Sequence, residues 1–415
     1  MSEHRLVAVG TGRILQILVL VVAGLAPLAP RASVPVLIVG AALIGCFYLM
    51  DRQRPPGAAR LVTLALAALL VWCAASALWA ENPFGPRTLA GLAGLLIAGS
   101  LLVAWAGARR SERLTNGLVL GLEIGLAVYA FELISGDWLT RMVHGLSWRD
   151  ILDPLSGGIA VEAYLINGTA ILTLLLWPSV RLLLELGRRL EAALLGGGVL
   201  LAAILFGSAS SVAAFFVGAF VWAAYAWKGA RVSHAAAVLF ATVVLVSPLA
   251  IYGTLKSLDL QQVAARAEAA GIGNSTIVRL FIWRFATERI VERPLLGWGF
   301  DASRRIPGGG ETFTVYRDTD EAGPRVLVSE FNLPLHPHNQ VLQIWLELGL
   351  GGALLVAGFG LLILWRLDGV ALAVAASALV FDYLSFGAWQ SWWIAAVFIA
   401  AALTAGTSRD NPGSA

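Results

Sequence analysis

Residues 336–365 read HPHNQVLQIWLELGLGGALLVAGFGLLILW. From Gln340 onward the stretch is apolar for longer than the ~20 helical residues that cross a hydrocarbon core. This reading decides the fold class, because similar runs recur along the whole chain. The quartet ahead of it, His336-Pro337-His338-Asn339, places titratable imidazoles at the mouth of a membrane helix.

Composition agrees. Of 415 residues, 58% are hydrophobic and only 13% charged, against about 25% charged in a soluble domain. Mean hydropathy is +0.79. A membrane β-barrel would show short alternating segments instead, so the expectation is an all-α polytopic membrane protein. Cys46 and Cys73 both fall in apolar runs and read as packing residues rather than a disulfide or metal pair. The N-terminal run lacks a small-residue cleavage site and reads as a first span, not a signal peptide. Nothing points to nucleic acid; the expected surroundings are membrane lipids.

Twelve spans are expected, near 13–29, 34–50, 61–80, 87–106, 116–134, 159–177, 192–207, 210–227, 234–253, 340–365, 370–387 and 390–406. Arginines and lysines collect after the even-numbered spans, among them Arg52, Arg54, Arg109, Arg110, Arg188, Arg189 and Arg231. The positive-inside rule then puts both termini in the cytoplasm. Tryptophans near the span ends fit an aromatic belt. The chain divides into spans 1–9 over 1–253, a large outer loop over 254–338, spans 10–12 over 339–407, and a disordered cytoplasmic tail over 408–415. A structureless loop of about 85 residues is unusual, so 254–338 is expected to fold against the membrane.

Within that loop, 255–270 reads as a polar helix and 275–293 as an interfacial helix, with Asn274 or Ser275 as cap. The second carries Arg279, Arg284, Arg289 and Arg293 before Pro294 and the tight turn Gly297-Trp298-Gly299. Glu288 and Glu292 offer partners to the later arginines, which leaves Arg279 as the sharper candidate. A guanidinium fork suits a diphosphate, since it donates two hydrogen bonds at once.

His338 competes with a plain capping role. Against that, Gly349 and Gly352 lie one helical turn apart and would let a neighbouring helix approach closely, pinning the helix that presents the imidazole. Such an imidazole can take a proton from a hydroxyl near neutral pH. Glu347 lies at membrane depth and needs a partner; a structural hydrogen-bond hub is its expected role. His336 is expected to support His338. His336 with His338 as metal ligands lacks a third ligand, and Asp318-Thr319-Asp320 reads as a solvated turn; no metal is expected.

These motifs resemble a known family. His338-Asn339, nine residues, then Gly349-x-x-Gly352 resembles the signature of bacterial O-antigen ligases. Arg279-x-x-x-Trp283, then Pro294 and Gly297-x-Gly299, resembles the upstream part of the O-antigen ligase/polymerase domain, here over about 195–360. The resemblance implies metal-independent, cofactor-free, inverting glycosyl transfer at the periplasmic face of the bacterial inner membrane. The donor would be a glycan on undecaprenyl diphosphate and the acceptor a hydroxyl of lipid A–core. His338 would be the general base and Arg279 would hold the diphosphate, with Arg304, Arg305, Arg284, Asn339 and His336 as further substrate-binding candidates. Trp283, Gly297, Gly299, Glu347, Gly349 and Gly352 would be structural. Many members carry an arginine near the start of the eighth span; here that stretch is Ser208-Ala209-Ser210-Ser211, and Arg304 and Arg305 are the candidate replacements. A polymerase using the same donor, a protein O-oligosaccharyltransferase and a flippase of lipid-linked sugars are the alternatives. A flippase should line a central cavity with charge, whereas the informative charges here cluster on one face.

Overall fold

The structure, a computed structural model, describes residues 3–50, 60–108, 112–146, 158–317 and 325–407. Arg52, Arg54, Arg109, Arg110, the Asp318-Thr319-Asp320 triplet and the tail 408–415 lie outside the described residues. The protein is an all-α membrane-type fold with one small hairpin. Long helices occupy each of the twelve apolar stretches: α1 Glu3–Leu25, α2 Ser33–Met50, α3 Arg60–Ser76, α4 Gly85–Ala108, α5 Glu112–Ser135, α7 Gly158–Glu185, α8 Arg189–Leu205, α9 Ala209–Lys228, α10 Ala230–Leu255, α13 Gln340–Leu364, α14 Gly369–Leu384 and α15 Ser391–Thr407, with the short α6 Trp138–His144 between α5 and α7. Among the described residues, seven of these are long and apolar enough to cross a membrane by length and composition. The others are apolar but shorter or less uniform.

Burial sorts these helices in a way that hydropathy does not. In α7, every residue from 168 to 179 is buried, so it is apolar on all sides, as a central post must be. Polar side chains tie it to its neighbours. The Trp177 indole N–H donates to Ser377 Oγ at 2.9 Å, and Ser377 Oγ donates to the Ala214 carbonyl at 2.9 Å. Hydrogen bonds of this kind hold helices together where lipid removes the hydrophobic driving force between them. Cys73 is buried as expected, but Cys46 is exposed on the apolar surface, and both are free.

The segment between α10 and α13 is ordered around the ends of these helices. Helix α11 (Leu260–Ala269) starts at Asp259, whose carboxylate accepts from the Gln261 and Gln262 N–H groups at 3.0 and 3.3 Å. Helix α12 (Asn274–Glu292) is capped by extended Gly273 with no side-chain bond, so neither Asn274 nor Ser275 is the cap. Its Ile277, Ile282, Ala286 and Ile290 are buried, and it packs on α10 and α13. Strands β1 (Thr312–Arg317) and β2 (Arg325–Phe331) form an antiparallel hairpin over it. Phe313 stacks on Phe281 with centroids 4.7 Å apart.

The deciding helix is not continuous. Gly349 interrupts α13 with φ 63 and ψ −161. The break frees carbonyls at the end of the first half, and the segment 294–299 takes them up. Trp298 N–H donates to the Leu346 carbonyl and Gly299 N–H to the Glu347 carbonyl, both at 2.8 Å, while Leu350 N–H donates to the Pro294 carbonyl at 2.9 Å. A Cβ at Gly349 would lie 2.4 Å from the Leu295 carbonyl oxygen, and one at Gly297 2.5 Å from that of Glu347. The Gly349/Gly352 spacing therefore does not admit a neighbouring helix. It admits a loop, and Gly352 leaves room for the Leu348 side chain of the same helix, 2.2 Å from a would-be Cβ. Gly299 lies against Ala80 in the same way.

Candidate active site

The break leaves a short, buried first half to α13, residues 341–349. Its N-cap is Asn339, whose Oδ1 accepts from Leu342 N–H at 3.1 Å. Immediately before the cap stands His338, at φ 52. A non-glycine residue in this region is uncommon and is kept only where its surroundings over-determine it. Three contacts do so here. His338 N–H donates to His336 Nδ1 at 3.1 Å, His338 Nδ1 lies 3.1 Å from the Ser385 carbonyl, and the Pro337 carbonyl accepts from the Trp283 indole at 2.9 Å.

These bonds fix protons. A carbonyl only accepts, so His338 Nδ1 carries the hydrogen and the neutral ring leaves Nε2 as a bare lone pair. His336 Nδ1 accepts, so its proton sits on Nε2, beside the Gln390 carboxamide at 3.0 Å; that proton needs an acceptor, so the carboxamide is turned to present its otherwise unpartnered Oε1 there. Burial, with the charge on Arg304 and the neighbouring His338, pushes His336 down to about 3. It stays neutral and acts as a brace. His338 is also lowered, first by burial; the Ser385 hydrogen bond opposes this, Arg279 adds to it and Glu330 opposes it. The arrangement is a neutral, oriented base.

Arg279 and Trp283 are one turn apart on α12 and share a face; the Trp283 bond to Pro337 turns that face to the histidine loop. Arg279 is half-buried and has no ion-pair partner among the described residues, and burial lowers its pKa. The other arginines on the helix are engaged. Arg284 pairs with Glu288 at 3.3 Å and Arg289 with Glu292 at 2.7 Å. Arg293 lies over the Trp298 ring at 4.0 Å. The substrate-binding expectation for Arg284 is thus weakened by its own i,i+4 partner. Arg304 is exposed on a 3-10 turn, Ala302–Arg305, where its charge is felt by both His336 and Asp301. Arg305 instead lines a shallow cleft with Trp79, Glu81, Arg293 and Trp298.

Glu347 anchors that turn. Its carboxylate accepts from Asp301 N–H at 2.7 Å, Gln343 Nε2 at 3.0 Å, the Trp389 indole at 2.6 Å, and both the N–H and hydroxyl of Ser303. It is fully buried, with four residues donating to its two oxygens. Its fixed partners, together with the Thr88–Asp301 bond at 2.8 Å, hold the Arg304 turn against α13 and α4. Asn339 caps rather than projects, although its Nδ2 has no partner among the described residues. Ser385, Gln390, Ser303 and Glu330 were not foreseen. Ser385, Gln390 and Ser303 act through contacts more than 40 positions away in sequence, and Glu330 through its charge from the end of β2, where no local pattern marks them. At the start of α9, Ser210 Oγ accepts from Ser385 Oγ at 2.7 Å, so the arginine-free Ser208–Ser211 stretch borders the residue that holds His338. Among the described residues, no group of three or more His, Cys, Asp or Glu is gathered as a metal site.

Comparison with known proteins places this geometry. Residues 192–357 match the family described as O-antigen ligase. The chain is 28% identical over 288 residues to a Rickettsia prowazekii protein provisionally named as a polysaccharide ligase, covering 67% of this chain and 64% of that one. A Rickettsia felis protein with the same provisional name is 27% identical, covering 78% and 75%; one from Rickettsia typhi is 27% identical, covering 68% and 64%. The chain thus spans just under two thirds of the first relatives it matches. No solved structure matches it. The matched segment runs from α8 into α13 and takes in Arg279, His338 and Gly349, so over these residues the chain carries a region similar to the O-antigen ligase family.

Proposed function

We propose that the protein is a membrane glycosyltransferase that moves a glycan from undecaprenyl diphosphate to a hydroxyl of lipid A–core at the periplasmic face. The observation that carries this reading is the tautomer of His338: Nδ1–H is committed to the Ser385 carbonyl, which leaves the Nε2 lone pair free, and the charge of Arg279, without an ion-pair partner among the described residues, acts on the same ring. In the reaction, His338 Nε2 takes the proton of the acceptor hydroxyl as its oxygen bonds to the anomeric carbon. The bond from that carbon to the diphosphate breaks, and its electron pair leaves on the phosphate oxygen. Attack opposite the leaving group inverts the anomeric centre. Arg279 holds the diphosphate and meets its growing charge, with Arg304 as the second cation in place of the family arginine absent from Ser208–Ser211. No metal or cofactor enters these steps.

Twelve crossings with both termini in the cytoplasm put this site at the periplasmic surface, where the polyprenyl tail can remain among the helices. The test is reconstitution with an undecaprenyl-diphosphate glycan, with and without lipid A–core. Transfer that depends on lipid A–core is expected. Glycan ladders without it would assign polymerisation, and transfer to a protein hydroxyl alone would assign protein glycosylation.

A further inference from the structure

The Ala302–Arg305 turn serves two places at once. The charge of Arg304 reaches His336, while Arg305, the next residue, lines a cleft of about 240 Å³ with Arg293, Glu81, Trp79 and Trp298. The aromatic walls of this cleft are fixed. The Trp72 indole donates to the Leu348 carbonyl at 3.0 Å, and Trp79 meets the Trp72 ring edge-on with centroids 6.1 Å apart. The Trp298 indole donates to the Arg289 carbonyl at 3.0 Å, and the Arg293 guanidinium lies 4.0 Å from the Trp298 ring centre, which holds that cation at the cleft.

The polar groups of the cleft are open. Glu81 shares it with two arginines, yet pairs with neither among the described residues, and Arg305 has no hydrogen-bond partner there. The Trp79 indole N–H is buried without a partner, although buried donors nearly always have one.

This set of groups describes a ligand. Two guanidinium forks bind a phosphate or carboxylate through paired hydrogen bonds. A bare anion would be repelled by Glu81, so the ligand also brings hydroxyls, which donate to that carboxylate and accept from the Trp79 N–H. Indole faces are electron-rich and suit the C–H face of a sugar ring. The volume lies below the ~300–1,000 Å³ of pockets for drug-sized ligands, which fits one sugar ring and its substituent. We propose that this cleft binds an acidic sugar, a pyranose bearing a phosphate or carboxylate, in the same glycan whose neighbouring unit reaches His338. Its place in that glycan rests on the glycosyl-transfer reading; binding in the cleft does not.

The test is isothermal titration calorimetry of the full chain in phosphatidylcholine nanodiscs, with glucose 6-phosphate, glucuronate, glucose and inorganic phosphate as probes. At least one acidic sugar should bind about tenfold or more tighter than either glucose or phosphate, as expected when charge-assisted hydrogen bonds add to those of the ring. Arg305→Gln should weaken that binding by a similar factor with melting temperature unchanged, and Glu81→Gln should narrow the margin over phosphate. No turnover is involved, so absent binding with intact transfer overturns this proposal alone, and absent transfer with intact binding overturns the transfer reading alone. Phosphate that binds as tightly as the acidic sugars overturns the proposal, as does an Arg305→Gln chain that binds like the wild type. Displacement of the sugar in phosphatidylglycerol nanodiscs would assign the cleft to a lipid headgroup and overturn it too.

Discussion

His338 is held in a backbone conformation that side chains resist, its backbone N–H bonded to His336 Nδ1 and its ring to the Ser385 carbonyl. Such strain costs on the order of 1–3 kcal/mol, which the surrounding hydrogen bonds offset. Because burial lowers its pKa, the ring is already a free base at neutral pH. The acid limb of kcat/KM for transfer should therefore lie below the ordinary histidine value of about 6.5, and a limb above 7 would speak against this assignment. His336 adds a stability effect with a definite sign. Its folded value of about 3 lies below the unfolded one, so its contribution is full above about pH 6.5 and is lost as pH falls towards 3. Melting temperature should fall through that window, and less steeply in His336→Gln. For Arg279, substitution by lysine keeps the charge but removes the fork. Transfer by Arg279→Lys should drop at least about tenfold, consistent with loss of ~1.5–3 kcal/mol of charge-assisted bonding, measured as kcat/KM against donor.

At the scale of elements, the broken α13 decides how the site is assembled. The strap 294–299 lies in the break, and through Gly299, Asp301 and Ser303 it brings Arg304 to the histidines. Gly349→Ala would place a Cβ 2.4 Å from the Leu295 oxygen at a positive φ. It should destabilise the protein by at least ~1–3 kcal/mol and lower transfer together with melting temperature. Glu347→Ala leaves the Ser303, Gln343 and Trp389 donors unsatisfied, at about 1–3 kcal/mol for an orphaned buried group; the expected result is a lowered melting temperature, read by scanning fluorimetry. The glycines at 349 and 352 were visible in the sequence, but their purpose was not. Hydropathy runs unbroken across 340–364, and a spacing of three fits a helix contact as well as a break. The hairpin is legible in part: Thr312-Phe313-Thr314-Val315 alternates polar and apolar residues with the period of a half-buried strand.

For the whole molecule, the positions of the long apolar helices are legible because apolar run length is a direct consequence of bilayer thickness. Which helices sit centrally was not, because lipid-facing and protein-facing positions are equally apolar; α7 and α5 look alike in composition but not in burial. The nearness of Arg279 to His338, whose pKa its charge lowers, is marked in the sequence only by the family spacing. The bracing by Ser385 and Gln390 depends on α14 and α15 returning to the same end of the bundle, and that is a tertiary fact. The proposed topology predicts that single cysteines placed in 254–338 react with an impermeant maleimide from the periplasm, while cysteines at both termini react only after the membrane is opened. The central claim, that the His338 Nε2 lone pair is the base for glycosyl transfer, is tested most directly by turnover of His338→Ala in proteoliposomes with the undecaprenyl-diphosphate glycan. A fall of about 10²–10⁴-fold, with donor binding and melting temperature retained, is the predicted result; near-normal turnover in that variant would contradict it.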